Sequence, residues 1–265
     1  MTLALKLVLT PALIATATLA GRRFGPSIGG WLVGLPFTSG PVSFFLAIEQ
    51  GTSFAAAAAS GSIAGAAASA LFAVVYAALA RRSGWVISLV LASAAFLIAI
   101  AAIRLLPLGS GFPLPLLAVY LLTVAAAVAA IALIAEPAAL AAAVPPPRWD
   151  LPARMVVATT LVVAITGAAP ILGPQLTGLV TTYPIYASVL AAFAHAQRGG
   201  TAAVHVVRGL CFGLLAFASF FFVIGAVIDR AGLGAAFAGA IAAALAVQTL
   251  TLRRLRTEAS RSPTN

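Results

Sequence analysis

Charge is what this sequence has least of. Only 8% of its residues are charged, whereas 63% are hydrophobic and the mean hydropathy is +1.14. A soluble domain carries about a quarter charged residues, so the composition excludes one and indicates an integral membrane protein. Acid is scarcer still, with five carboxylates against fifteen Lys and Arg. They are too few and too peripheral for a cation pump or a glycosidase. The single cysteine, Cys211, sits in an apolar run, which excludes an intrachain disulfide or a cysteine metal site. Two histidines alone make a poor metal site. No nucleophile–base motif, phosphate loop or metal signature is present. Gly232-Leu233-Gly234 follows a membrane helix and not a strand, so it is no dinucleotide fingerprint. The expectation is a protein that is not an enzyme and holds no cofactor. The net charge of +10 marks cytoplasmic loops and not a nucleic-acid partner. No small-residue cleavage site follows a charged n-region, so the apolar N-terminus reads as a retained first helix.

What is present is a repeat. Gly25–Gly61 and Gly173–Gly209 align without a gap at an offset of 148 residues. The matches at residues other than alanine are Gly25/Gly173, Pro26/Pro174, Gly30/Gly178, Pro36/Pro184, Phe45/Phe193, Gly51/Gly199 and Gly61/Gly209. All but one are Gly or Pro, the residues that set backbone shape. Further out, Lys6 falls on Arg154, Leu13 on Leu161, Arg82 on Arg230 and Gly84 on Gly232.

Hydropathy divides the chain into nine spans. They cover about 3–19, 28–48, 53–80, 85–103, 114–134, 153–168, 176–194, 201–228 and 233–251. The second is interrupted by Pro36-Phe37-Thr38-Ser39-Gly40-Pro41, and the third holds a GxxxG at Gly61 and Gly65. The expected fold is therefore an all-α integral membrane protein with nine transmembrane helices in a 4+1+4 inverted-topology repeat. Residues 1–106 form the first four-helix repeat, 107–150 a linker with one transmembrane helix, 151–254 the second repeat and 255–265 a polar cytoplasmic tail.

The lone middle span inverts the second repeat, and charge tests that. Eleven arginines (22, 23, 81, 82, 148, 154, 198, 253, 254, 256 and 261) fall on one side. Lys6, Arg104 and Arg230 fall on the other, and Arg208 lies within the eighth span. The positive-inside rule makes the richer side cytoplasmic. The expected location is the bacterial inner membrane, with the N-terminus outside and the C-terminus cytoplasmic.

Each repeat resembles the GlpM-like family of small four-span bacterial membrane proteins. The second carries Gly178-Leu179-Val180-Thr181-Thr182-Tyr183-Pro184, then His195-Ala196-Gln197-Arg198-Gly199. The first carries Gly30 through Pro36, then Glu49-Gln50-Gly51, without the basic residue before the glycine. The resemblance implies two fused copies in opposite orientation. The family is linked to exopolysaccharide production, so it implies fold more than activity.

The candidate site is the pair of broken second helices. Pro36 and Pro184 each remove a backbone donor, and irregular backbone inside a bilayer must face protein or a water-filled cavity. Thr38, Ser39 and Ser43 cluster at one break; Thr181, Thr182, Tyr183, Tyr186 and Ser188 cluster at the other. Interrupted helices in matching positions line the substrate site of inverted-repeat transporters. The alternative is an ordinary kink whose hydroxyls bond back to their own helix. Arg208 either faces a cavity and attracts an anion or snorkels to the interface. His195 and His205 are candidates for a proton relay or for plain packing. Glu49, matched by Gln197, is either a proton-coupling residue or an interfacial helix end. Asp229-Arg230 reads as a solvated loop pair.

Two functions follow. One is a secondary transporter or permease for a small neutral or anionic solute, amphipathic solutes included. The other is a non-transporting scaffold or accessory subunit of envelope polysaccharide or lipid assembly. The partners expected are the lipid bilayer, a small-molecule solute, and a second copy of the chain or an envelope-assembly protein. An embedded enzyme would need His195 or His205 to meet Glu49, which this topology puts at the opposite face.

Overall fold

The computed structural model describes residues 3–36, 39–105, 115–135, 137, 145–164 and 182–261. Side chains are described for the same residues except 3–6, 46, 104–105 and 256–261. Among the described residues every regular element is a helix. The interior of a bilayer offers no partner for a free N–H or C=O, and a helix satisfies its own.

Helix α1 (Leu3–Phe24) runs through Arg22 and Arg23, whereas the first span was expected to close near Leu19. Arginines do not end a helix, because cations suit its C-terminus. It stops at Gly25, whose φ of 99° no helix tolerates. The second span is two helices, α2 (Pro26–Val33) and α3 (Ser39–Gln50). At 8 and 12 residues neither reaches the ~20 that cross a bilayer alone. Gly34 lies against Gly213 and Gly40 against Phe220, so both helices follow one neighbour in one direction.

Helices α4 (Thr52–Ala80), α5 (Trp85–Leu105) and α6 (Leu116–Leu133) lie close to the third, fourth and fifth expected spans. Helix α7 covers residues 150–164; the rest of the sixth expected span lies outside the described residues. So does the seventh up to residue 181. Its remainder is α8 (Ile185–Arg198), which Pro184 precedes as the N-cap residue. Helix α9 (Gly200–Arg261) is 62 residues long and breaks at Gly232, with φ 77° and ψ 174°. Its second arm folds back on the first, where the Phe220 and Phe237 ring centroids are 6.0 Å apart. Asp229 and Arg230, expected in a loop, are helical and exposed. A single glycine makes the reversal, so no loop is needed.

The same device joins α3 to α4 at Gly51 (φ 92°, ψ 164°) and α8 to α9 at Gly199 (φ 80°, ψ 174°). Backbone of that kind is essentially restricted to glycine. These two glycines are matched positions of the repeat, so the repeat marks two equivalent joints.

Among the described residues, four helices are long and apolar enough to cross a membrane: α4, Trp85–Ile103 of α5, α6, and Gly200–Leu255 of α9. The chain is thus an all-helical, membrane-embedded protein. Helices α4 and α9 form its centre, with 67% and 61% of their most apolar windows buried, against 22% in α5 and in α6. Helix α4 and the first arm of α9 run antiparallel. Gly200 lies on the Ala80 carbonyl, and a methyl group at Gly225 would sit 3.5 Å from Ala59 Cβ. Their alanines, with Ile63, Phe72, Tyr76, Phe221 and Ile224, fill the two main core clusters.

Candidate functional site

The two breaks are packed. A Cβ added at Gly34 would lie 2.6 Å from Gly213 Cα, and one at Gly213 would lie 2.5 Å from the Trp31 carbonyl oxygen. Gly30 faces the Val206 carbonyl and Gly209 the Ser27 carbonyl at similarly close range. This is backbone against backbone, which only small residues allow. At the other break Thr182 lies against Gly65, where a Cβ would meet its Cβ at 2.6 Å. The offset of 148 turns residues 34 and 213 into 182 and 65. Positions related by the offset thus meet in both pairs, through backbone in the first and through the Thr182 side chain in the second.

Most of the expected site residues are held by local partners. The Pro36 carbonyl accepts a hydrogen bond from the Gly40 amide at 2.8 Å, beside Ser39 at the start of α3. Tyr183 shares a 2.7 Å hydrogen bond with Ser93 of α5 and sets its ring edge-on to Phe72 and Phe96. The Thr182 carbonyl accepts from Ser69 at 3.4 Å. Tyr186 donates to Thr10 of α1 at 3.4 Å. Ser188 bonds back to the Ile185 carbonyl, whereas the Ser43 hydroxyl is buried with no partner among the described residues. Thr38 and Thr181 lie outside the described residues. The breaks pack on different helices, Pro36 beside α9 and Pro184 beside α4 and α5.

Arg208 is buried, and its Nε donates to the Ile134 carbonyl at 3.3 Å. Ile134 caps the C-terminus of α6, where a cation complements the free carbonyls. His205 Nδ1 is 3.1 Å from the Ser27 hydroxyl, and His195 Nδ1 is 3.5 Å from that of Tyr76. The two histidines thus bond to different helices. Glu49 is exposed at the end of α3. No group of three or more metal-ligating side chains occurs among the described residues.

A cavity of about 460 Å³ lies instead at the arginine-rich end of the bundle. Helices α1 and α2 form one wall, α7 and α8 another; Gly29 and Val206 lie at its base, and Pro145-Pro146-Pro147 border it. Its charged centre is Asp150, the first residue of α7, which is 1% exposed. Arg22 donates to Asp150 Oδ2 at 2.7 Å, and Arg154 Nε donates to both carboxylate oxygens at 2.9 and 3.0 Å. Gln197 completes the cluster from α8. Burial alone would raise the Asp150 pKa; the bonds from Arg22, Arg154 and Gln197 outweigh it and hold the carboxyl below its usual range. The guanidinium of Arg154 also stacks over Phe193, 4.9 Å from the ring centroid. Arg198 lines the cavity from the end of α8.

Sequence reasoning passed over Asp150. The available signal was local: an acid at a helix start with an arginine four residues on. Its partner Arg22 is 128 residues away, which no spacing rule reaches.

No protein-family model, curated protein or solved structure matches the chain.

Proposed function

We propose that the chain is a secondary transporter or permease for a small neutral or anionic solute. Its cavity lies between walls drawn from the two repeats, and that observation carries the reading. A solute-sized cleft between repeats that meet on bare backbone is the arrangement rocking requires.

The architecture we propose with it is the nine-span, 4+1+4 inverted repeat. Three observations support it. Gly34 meets Gly213, and the positions related to them by the offset, Thr182 and Gly65, meet with the repeats exchanged, as across a two-fold axis. The equivalent helices α4 and α9 (first arm) run antiparallel, which puts that axis across the helices. The C-terminal ends of α1, α4 and α8 and the starts of α7 and α9 meet at one end, through Arg22–Asp150, Gln197–Asp150 and Gly200–Ala80. Arg81 donates to the Ala135 carbonyl, which brings the end of α6 there too. By the positive-inside rule this end is cytoplasmic, and the cavity then opens inward from a bacterial inner membrane. Two fused GlpM-like units in opposite orientation would have this form.

The test is flux in proteoliposomes, read as current or swelling across a panel of sugars, amino acids, carboxylates and phosphate esters. At least one should cross faster than in protein-free vesicles, and Ala194→Trp, which fills the cavity wall, should stop it. Well-folded protein that moves none of them would overturn transport. The scaffold reading would then stand, to be pursued through envelope-assembly partners.

A further inference from the structure

Three guanidinium groups line the cavity, from Arg22, Arg154 and Arg198, against one carboxylate, Asp150. Among the described lining residues, two positive charges are left without an anion. Asp150 is fully engaged by Arg22, Arg154 and Gln197. Arg154 meets it with Nε alone; its four terminal N–H groups bond to no protein acceptor among the described residues. Arg198 makes no hydrogen bond or ion pair among them either. The Thr18 hydroxyl, on the facing wall, is buried with no partner among the described residues. A donor set with spare capacity beside an apolar floor of Ala17, Leu190, Ala194 and Val206 has an evident complement.

We propose that the cavity binds a small amphipathic organic anion. Its carboxylate or phosphate head sits among the free N–H groups of Arg154 and Arg198 and the Thr18 hydroxyl, and its apolar body lies on the floor formed by α1, α8 and α9. Charge-assisted hydrogen bonds to planar guanidinium groups hold such heads well. The volume lies within the ~300–1,000 Å³ typical of small-molecule sites. Asp150 fixes the arginines that flank it and keeps a second anion from that corner. The inference deepens the transporter reading by choosing the anionic, amphipathic class of solute.

The test is calorimetric titration of the full-length protein in nanodiscs of zwitterionic lipid. The probes share one apolar body: octanoate, octyl phosphate, octanol and octylamine. Octanoate or octyl phosphate should bind at least tenfold more tightly than octanol, and octylamine more weakly than either. Arg198→Gln touches no structural partner and should weaken the anion about tenfold; Thr18→Val should weaken it severalfold. Equal binding of octanol, or no change in Arg198→Gln, would overturn the proposal. Loss of octanoate binding in nanodiscs containing phosphatidylglycerol would identify a lipid headgroup as occupant; undiminished binding would identify a free solute. Binding without flux keeps this site and removes the transporter. Flux of a neutral solute that ignores Arg198→Gln does the reverse.

Discussion

The repeats meet in two unlike ways within one molecule. At Gly30, Gly34, Gly209 and Gly213 they touch through backbone, with no charge and no side chain between them. At Arg22 and Arg154 they stand apart around a cavity and are joined through the carboxylate of Asp150, the last residue of the linker. The first contact takes its strength from fit, the second from charge in a place where water is limited. The Pro36 break, where a site was expected, belongs to the first kind; at the Pro184 break the contact runs through the Thr182 side chain. The cavity belongs to the second.

The contrast can be broken most severely at the crossing. Gly30→Leu drives a side chain into the Val206 carbonyl, and backbone cannot step aside as a side chain does. Overpacking usually costs about 1–3 kcal/mol; this substitution should reach or exceed the top of that range. Loss of the monodisperse peak in detergent would record it.

Asp150→Asn tests the ionic end. Removing one partner of a fully buried pair costs about 3–5 kcal/mol; Arg22 is 33% exposed, so about 2 kcal/mol is expected. Its pH dependence has a definite sign. The folded-state pKa of Asp150 is depressed, so its contribution is complete above the unfolded value of about 3.9 and is lost as pH falls toward the folded one. Melting temperature should therefore fall more steeply in the native chain than in Asp150→Asn as pH is lowered through and below about 3.9. Parallel curves would remove the cluster as a stabilising element.

Gly51→Ala and Gly199→Ala sharpen the comparison between repeats. A Cβ at either meets nothing within 4 Å, so the penalty is backbone strain alone, about 1–3 kcal/mol. Equal losses in thermal unfolding would support equivalent joints; a large difference would separate them. The smallest effect belongs to Gly61, which has open space on the same helix as the crowded Gly65. Gly61→Ala should be neutral or stabilise by up to about 1 kcal/mol, because alanine is the better helix former. Gly65→Ala should destabilise measurably in the same assay.

The third, fourth and fifth spans were legible because apolar length is a local property. The ends of α4 and α5 fall close to where hydropathy put them, and Pro36 marks the break between α2 and α3. The end of α1 was misplaced because the glycine, and not the arginine pair, decides it. The turn at Gly232 was read as a loop because charge was taken for solvent-exposed coil. The cavity was out of reach for a different reason. Arg22 joins Asp150, and Arg208 finds a carbonyl on α6, through the tertiary fold. A main-chain acceptor leaves no mark in a sequence at all.

Joints of a single residue have a mechanical consequence. A loop of several residues would give neighbouring helices slack, at little entropic cost. Gly51, Gly199 and Gly232 give none, so the depth of each helix is geared to that of the next. A piston-like shift of α8 by one turn, about 5.4 Å, could not be absorbed before α9 began to move. Displacement at one membrane face is thereby delivered to the middle of the bundle.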